Sequence, residues 1–410
     1  MKVLIDCGRL SRGGGIQVGL AFLANAAKCS AHEWHAALSP AMSAEADLPL
    51  LRSTFGSLLH LDQSSRSVAQ FTEAFYRLPG YEKQVKPDVV FTVFGPTLWR
   101  PRAPHLCGFA VPSLLYPEIA SKLRASRKLE FVRRKLTDLW SSIRLRRGRD
   151  WLVESDTVKR RLNQFLHVPA ERIFVVRNSY SPLFAQDRES SQRHPVDRRV
   201  LSKTEGVPSV LVPSAYYLHK NLRLIPRVAK ALRTVMPLGA KFVLTLPADQ
   251  SPWRSIHEEA TALGVGDDVV TVGSVRHETI GRLYSHADAV LLPTLLECST
   301  AVYPESFLAG VPLVTSDLDF AHEFCSDAAE YFDPWQPESA AGALHRVLSD
   351  PQRRARLIDR GREVLKSNYP SPEEKWNQQL ACLQAVAAGR SSEQVELFDQ
   401  SVASQRAASV

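Results

Sequence analysis

The chain has 410 residues, 44% of them apolar and 23% charged, with a formal net charge of +8. This is ordinary globular material, long enough for two domains or one large one with a full core. The six cysteines show no C-x-x-C pair and no metal-ligand spacing, so they read as reduced thiols of a cytoplasmic protein. No apolar run reaches the length of a transmembrane helix.

In chain order, Val3 to Ile5 reads as a buried strand broken at Asp6 rather than as the core of a signal peptide. Gly13, Gly14 and Gly15 follow, and Ile16 to Ala27 has helical periodicity. A strand, a glycine-rich loop and a helix can turn backbone N–H groups toward an anion, although a plain tight turn explains the glycines as well. The loop is not G-x-G-x-x-G, which argues against a dinucleotide enzyme. Short strands are expected at Trp34 to Leu38, Ser57 to Leu61 and Pro87 to Phe94, with another inside 103–118. Residues 122–149 hold eleven Lys and Arg against Glu130 and Asp138, a local charge of +9 that leaves the rest of the chain at −1. Leu129, Val132, Leu136, Leu139, Trp140 and Ile143 recur there at helical spacing. The segment reads either as a solvated surface helix or as a basic amphipathic helix that rests on anionic lipid through Arg127, Lys128, Arg133, Arg134, Trp140 and Arg144. No nucleic-acid module accompanies the patch, so nucleic acid is not an expected partner.

Trp151 to Glu154 reads as a strand, Ser155 as the N-cap of the next helix, and Ile173 to Val176 as a further strand. Residues 185–206 are polar and aperiodic, a linker. Strands at Ser209 to Val212, Lys241 to Leu246, Val269 to Val272 and Ala289 to Leu292 then alternate with helices. Alternation of this kind in both halves predicts parallel sheets with right-handed crossovers. The segment 288–316 is the most informative. An apolar strand runs into a loop with Glu297, Ser299 and Thr300. Pro304 suits the first turn of a helix, Gly310 ends it, and Val311 to Thr315 is the next strand. Ligands bind at such carboxyl edges of parallel sheets. The spacing of Glu297 and Glu305 is weak by itself, because a helix-start carboxylate and a solvated loop glutamate would look the same.

With its neighbours Pro293, Thr294, Gly310, Pro312 and Ser316, however, the pair resembles the nucleotide-sugar signature of the retaining GT-B glycosyltransferases often called family four. The resemblance covers about 1–387 and is most specific from 151 onward. It implies two doubly wound Rossmann-like domains facing across a cleft: an N-terminal acceptor-side domain over 1–184, a donor domain over 207–370, and a terminal helix over 371–387 that crosses back to the first domain. Residues 388–410 are polar and small, and a disordered tail is expected there. Glu305 would hold the ribose hydroxyls of a nucleoside diphosphate sugar and Glu297 the hydroxyls of its sugar. Lys220 takes the position of the family's phosphate-binding lysine, flanked by His219 and Asn221. Ser214 and Ala215 stand where Gly-Arg is commoner, so the diphosphate would rely on Lys220, His219, the backbone from Ser299 through Thr300 to Ala301, and the Gly13 to Gly15 loop. Many family members carry a histidine near the positions of Phe109 and Ala110. This chain has none there, and no catalytic histidine is carried over.

The resemblance thus implies a metal-independent, cofactor-free hexosyltransferase with Glu297 and Lys220 at the reaction centre. Its acceptor would be a saccharide or lipid-linked group in cell-surface polysaccharide synthesis, met on the inner face of the membrane. Three alternatives remain open on sequence: a nucleotide-sugar epimerase of the same fold, a non-catalytic nucleotide-sugar-binding protein, and a peripheral membrane protein whose function is its charge.

Overall fold

The structure, a computed structural model, describes residues 1–11, 13–62, 72–95, 97, 99–124, 150–180, 184, 200, 202–204, 206–276 and 279–395. The expected basic helix with Arg127, Lys128, Arg133, Arg134, Trp140 and Arg144 lies outside the described residues, as does most of the expected linker over 185–206.

The chain forms two units, Met1–Val176 with Glu373–Val410 and Arg177–Pro372. The first holds a seven-stranded sheet in the order β3-β2-β1-β4-β5-β6-β7. Its strands are β1 (Lys2–Cys7), β2 (Glu33–Leu38), β3 (Ser57–His60), β4 (Val89–Thr92), β5 (His105–Gly108), β6 (Asp150–Val153) and β7 (Ile173–Val175). The second unit holds six strands in the order β10-β9-β8-β11-β12-β13. These are β8 (Ser209–Val212), β9 (Lys241–Leu244), β10 (Val269–Thr271), β11 (Ala289–Leu292), β12 (Leu313–Ser316) and β13 (Ala329–Phe332). Every strand pair in both sheets is parallel.

Both sheets are buried on both faces, which is why their strands read as apolar runs. Alternate residues of β1 show the pleat. Val3, Ile5 and Cys7 enter one core with Phe22 and Trp34, while Leu4 enters another with Leu78 and Tyr81. In the second unit the helix Ile225–Val235 buries Ile225, Val228, Ala229 and Leu232, a stripe at helical period, onto Val210 and Leu291 of the sheet.

Three details depart from the sequence reading. Asp6 does not break β1, because its carboxylate is satisfied inside the strand's surroundings by Gly8 N (2.9 Å) and Trp99 Nε1 (3.0 Å). The first division of the chain falls at Val176 rather than after 184; Phe184 is fully buried and packs edge-on against Tyr284 of the second unit. The expected tail does not begin at 388. Residues 392–395 form another helical turn, and the buried Ser392 hydroxyl donates to the Ala170 carbonyl at 3.3 Å.

Candidate functional site

In the second unit the chain enters at β8, adds β9 and β10 on one side, then returns to place β11 on the other. The carboxyl ends of β8 and β11 therefore flank the point where strand order reverses, the place where ligands bind in open sheets of this kind. Strand β8 feeds the loop that carries His219 and Lys220, and β11 feeds the loop that carries Thr294 and Glu297. The two loops are stitched by a backbone bond from Leu295 N to His219 O of 2.7 Å.

Glu297 is 6% exposed. A carboxylate so placed needs partners, and it has two: the Lys220 ammonium and the Thr294 hydroxyl (2.9 Å), both donating to Oε1. Oε2 accepts no hydrogen bond among the described residues, so one oxygen is clamped and the other is left to a ligand. Losing one member of a pair buried this deeply costs about 3–5 kcal/mol, because the other charge is stranded. Burial lowers the pKa of His219, partly countered by Glu297, and its ring stacks on Tyr217 at 5.4 Å. At ordinary pH this imidazole is a neutral hydrogen-bonding group rather than a second cation. Asn221 adopts the left-handed conformation (φ 55°) and turns its amide to the Pro334 carbonyl at 2.9 Å, so it shapes the loop behind Lys220.

Glu305 lies on the helix Val302–Ala309 that follows the Glu297 loop and is 3% exposed. Its Oε2 accepts from the Tyr284 hydroxyl at 2.9 Å. Burial pushes the carboxyl up to about 7, against the downward pull of that hydrogen bond. Ahead of the helix, Thr300 Oγ1 accepts from Val302 N at 3.3 Å, and Ala301 is the N-cap without a side-chain bond. The Ser299 hydroxyl oxygen is buried with no partner among the described residues. Buried polar atoms are rarely left so, and a bound ligand is one way to satisfy them.

The structure brings Lys220, Glu297 and His219 together and sets Ser299, Thr300, Ala301 and Glu305 along one loop and helix start. Sequence reasoning gave Lys220 and Glu297 separate tasks and did not foresee their direct pairing. It also missed the two hydroxyls, Thr294 and Tyr284, that hold the carboxylates. Only knowledge that β8 and β11 are neighbours, a long-range fact, could have revealed the first.

In the first unit Gly13 has φ 68° and ψ −155°, a conformation that glycine alone adopts easily, and caps the helix Gly14–Lys28. Gly13 and Gly14 are exposed and Gly15 half-buried. The loop leaves the carboxyl end of β1, beside β4, where the strand order of that sheet reverses. Phe109 is buried and Ala110 exposed. His105 sits at the start of β5, its Nε2 3.0 Å from Thr92 Oγ1. Thr92 Oγ1 also lies 3.3 Å from Asp6 Oδ2, and burial raises the pKa of Asp6. These three side chains meet one another inside the first unit. Among the described residues no group of three or more His, Cys, Asp or Glu is placed to hold a metal ion, and no helix is long and apolar enough to cross a membrane.

Residues 194–364 match the family model described as glycosyl transferases group 1. An uncharacterized glycosyltransferase of Methanocaldococcus jannaschii is 24% identical over 218 residues, 52% of this chain and 55% of the relative. The alpha-D-kanosaminyltransferase of Streptomyces kanamyceticus is 22% identical over 226 residues, 53% of this chain and 56% of that one. The chain thus spans about half the length of the curated relatives it matches. Among solved structures, Anabaena Alr3699/HepE in complex with UDP-glucose superposes with a TM-score of 0.68 at 14% identity, covering 94% of this chain and 100% of that one. At that identity the likeness is one of fold, and the fold, two parallel-sheet Rossmann-like domains, is that of the GT-B glycosyltransferases.

Proposed function

We propose that the protein is a glycosyltransferase that moves a sugar from a nucleoside diphosphate sugar to a saccharide or lipid-linked acceptor, with retention of anomeric configuration. The observation that carries this reading is the cluster at the β8/β11 reversal: Glu297 held by Lys220 and Thr294, with buried Glu305 on the next helix. Each carboxylate has one oxygen fixed and one open, and a carboxylate oxygen accepts from hydroxyls. Glu305 takes the ribose and Glu297 the donor sugar. The match of 194–364 to the group 1 model supports this assignment of the second unit.

The chemistry follows from charge. The bond from the anomeric carbon to the diphosphate breaks, its electron pair stays on the phosphate oxygen, and that growing charge is met by Lys220 and by N–H groups around Ser299 to Ala301. Preorganised donors of this kind are each worth roughly 10²–10³ in rate. The acceptor oxygen forms the new bond on the face the phosphate leaves, and its proton passes late to the departing phosphate. Because fixed cations and backbone dipoles do the stabilising, turnover in the presence of a chelator is expected to equal turnover without it. The basic segment 122–149 would hold the enzyme on anionic membrane, where lipid-linked acceptors for cell-surface polysaccharide lie. Salt-reversible sedimentation with anionic vesicles tests that part; indifference to vesicle charge would remove it.

The deciding experiment is calorimetric titration of the wild type and Glu305→Ala with UDP-, GDP- and dTDP-glucose. Binding of one nucleotide class by the wild type, weakened at least about ten-fold in the variant, is expected. Equal binding by both proteins would place the nucleotide elsewhere, and no binding by the wild type would overturn the reading.

A further inference from the structure

We infer that Tyr284 is a positioning residue for Glu305: its hydroxyl clamps Oε2 so that Oε1 is presented, ionised, to the donor's ribose. The inference rests on the donor-site reading above and assigns a part in it to a residue outside the loop and helix that carry the two glutamates.

Tyr284 lies on the short helix Gly281–Ser285, is fully buried, and donates to Glu305 Oε2 at 2.9 Å. Among the described residues no other group donates a hydrogen bond to Glu305. A phenylalanine would fill the same apolar volume, whereas a hydroxyl buried here is costly unless bonded. Its acceptor is itself a buried carboxylate, so the two polar groups are present for each other. The ring cannot swing away, because Phe184 meets it edge-on at 5.1 Å and 84°. Tyr284 always holds its proton: burial, and then the neighbouring Glu305, push its pKa far up. It is therefore a fixed donor, and it favours the ionised form of a carboxyl that burial would otherwise neutralise.

Three ionisable groups on the elements around the helix Val302–Ala309 have partners of their own. Tyr303, on the same helix, has its hydroxyl 3.1 Å from Thr315 Oγ1. Glu297, on the preceding loop, is paired with Lys220 from the β8 loop. Arg362, on the packed helix Pro351–Asn368, bonds Asp359 at 2.9 Å. Glu305 is thus the group of this pair that titrates, against a donor that keeps its proton. A ribose, whose hydroxyls donate, binds the ionised carboxylate better than the acid, and affinity should rise as pH climbs through about 7.

The test compares wild type, Tyr284→Phe, Glu305→Gln and the double variant in calorimetric titrations with UDP-, GDP- and dTDP-glucose from about pH 5 to 9. The diphosphate of these donors does not titrate through neutral pH, so a rise there belongs to the protein. The wild-type affinity should rise with pH. Tyr284→Phe, which keeps the ring and its Phe184 contact, should bind about ten-fold more weakly near neutrality, with the rise displaced to higher pH. Glu305→Gln should show no rise through neutral pH, and adding Tyr284→Phe to it should change affinity little. If Tyr284→Phe leaves the midpoint in place, or weakens Glu305→Gln as much as the wild type, the hydroxyl serves packing alone and the inference falls while the donor site stands. A rise that persists in Glu305→Gln also overturns it, whether or not Tyr284→Phe folds. Failure of the wild type to bind any of the three overturns the donor reading and this inference together.

Discussion

Glu305 shows what burial does to a single side chain. Its folded pKa of about 7 stands above the ordinary glutamate value of 4.5, so the folded protein binds the proton more tightly than the unfolded chain. Stability from this group is full below the unfolded value and is lost as pH rises through about 7, a change on the order of 3 kcal/mol. Glu305→Gln removes the titration. Its melting temperature relative to wild type is therefore expected to climb between about pH 5 and pH 8. Parallel melting curves for the two proteins across that range would show that burial does not hold the carboxyl up. Burial thus biases this carboxyl toward its neutral form, and a ligand that prefers the charged form would act against that bias. At this scale the sequence singled out the two glutamates, but not the side chains that hold them. Thr294 and Tyr284 become donors to these carboxylates only through the fold.

The helix Val302–Ala309 is the element that carries Glu305, and its ends are written locally. Gly310, at φ 68°, is the left-handed residue that stops it. Gly310 N bonds Phe307 O at 3.2 Å and Val311 N bonds Ser306 O at 3.0 Å, and the chain turns into β12. A Cβ on Gly310 would have room, with its nearest neighbour, Ile358, at 3.8 Å. Gly310→Ala should therefore cost backbone strain alone, about 1 kcal/mol in denaturant titration. A loss several times larger would mean that the turn is coupled to the packing beneath Glu305. Strands β8 and β11 match the expected limits because a buried run of Ala, Val and Leu has few other places to go. Asp6 misled the same logic in β1, since a carboxylate ends a strand only when nothing inside the fold can satisfy it.

On the scale of the molecule, a helix near the end of the chain belongs to the first unit. Pro372–Ala387 contributes Cys382, Leu383, Ala385 and Val386 to the core around β1. Trp376 joins Phe22 (5.1 Å) and Trp34 (5.8 Å) in an aromatic cluster, and Lys375 bonds Glu154 at 3.1 Å. Trp376→Ala should destabilise that unit by about 3 kcal/mol. Unfolding followed by calorimetry should show a lowered first transition, with nucleotide-sugar binding by the second unit kept below it. A single transition shifted as a whole would mean instead that the two units unfold as one.

What the sequence determined by itself was periodic or local. Apolar runs and their alternation with helices specified parallel α/β architecture, glycines marked the turns, and the Glu297–Glu305 stretch resembled a nucleotide-sugar signature. These signals survive in a linear chain because strand burial, helix period and positive φ are properties of short segments. The tertiary structure alone decided that β8 and β11 are neighbours, so that Lys220 meets Glu297 across 77 residues and Tyr284 meets Glu305 across 21. Strand order depends on which distant surfaces bury most together, and short-range patterns carry no record of that competition.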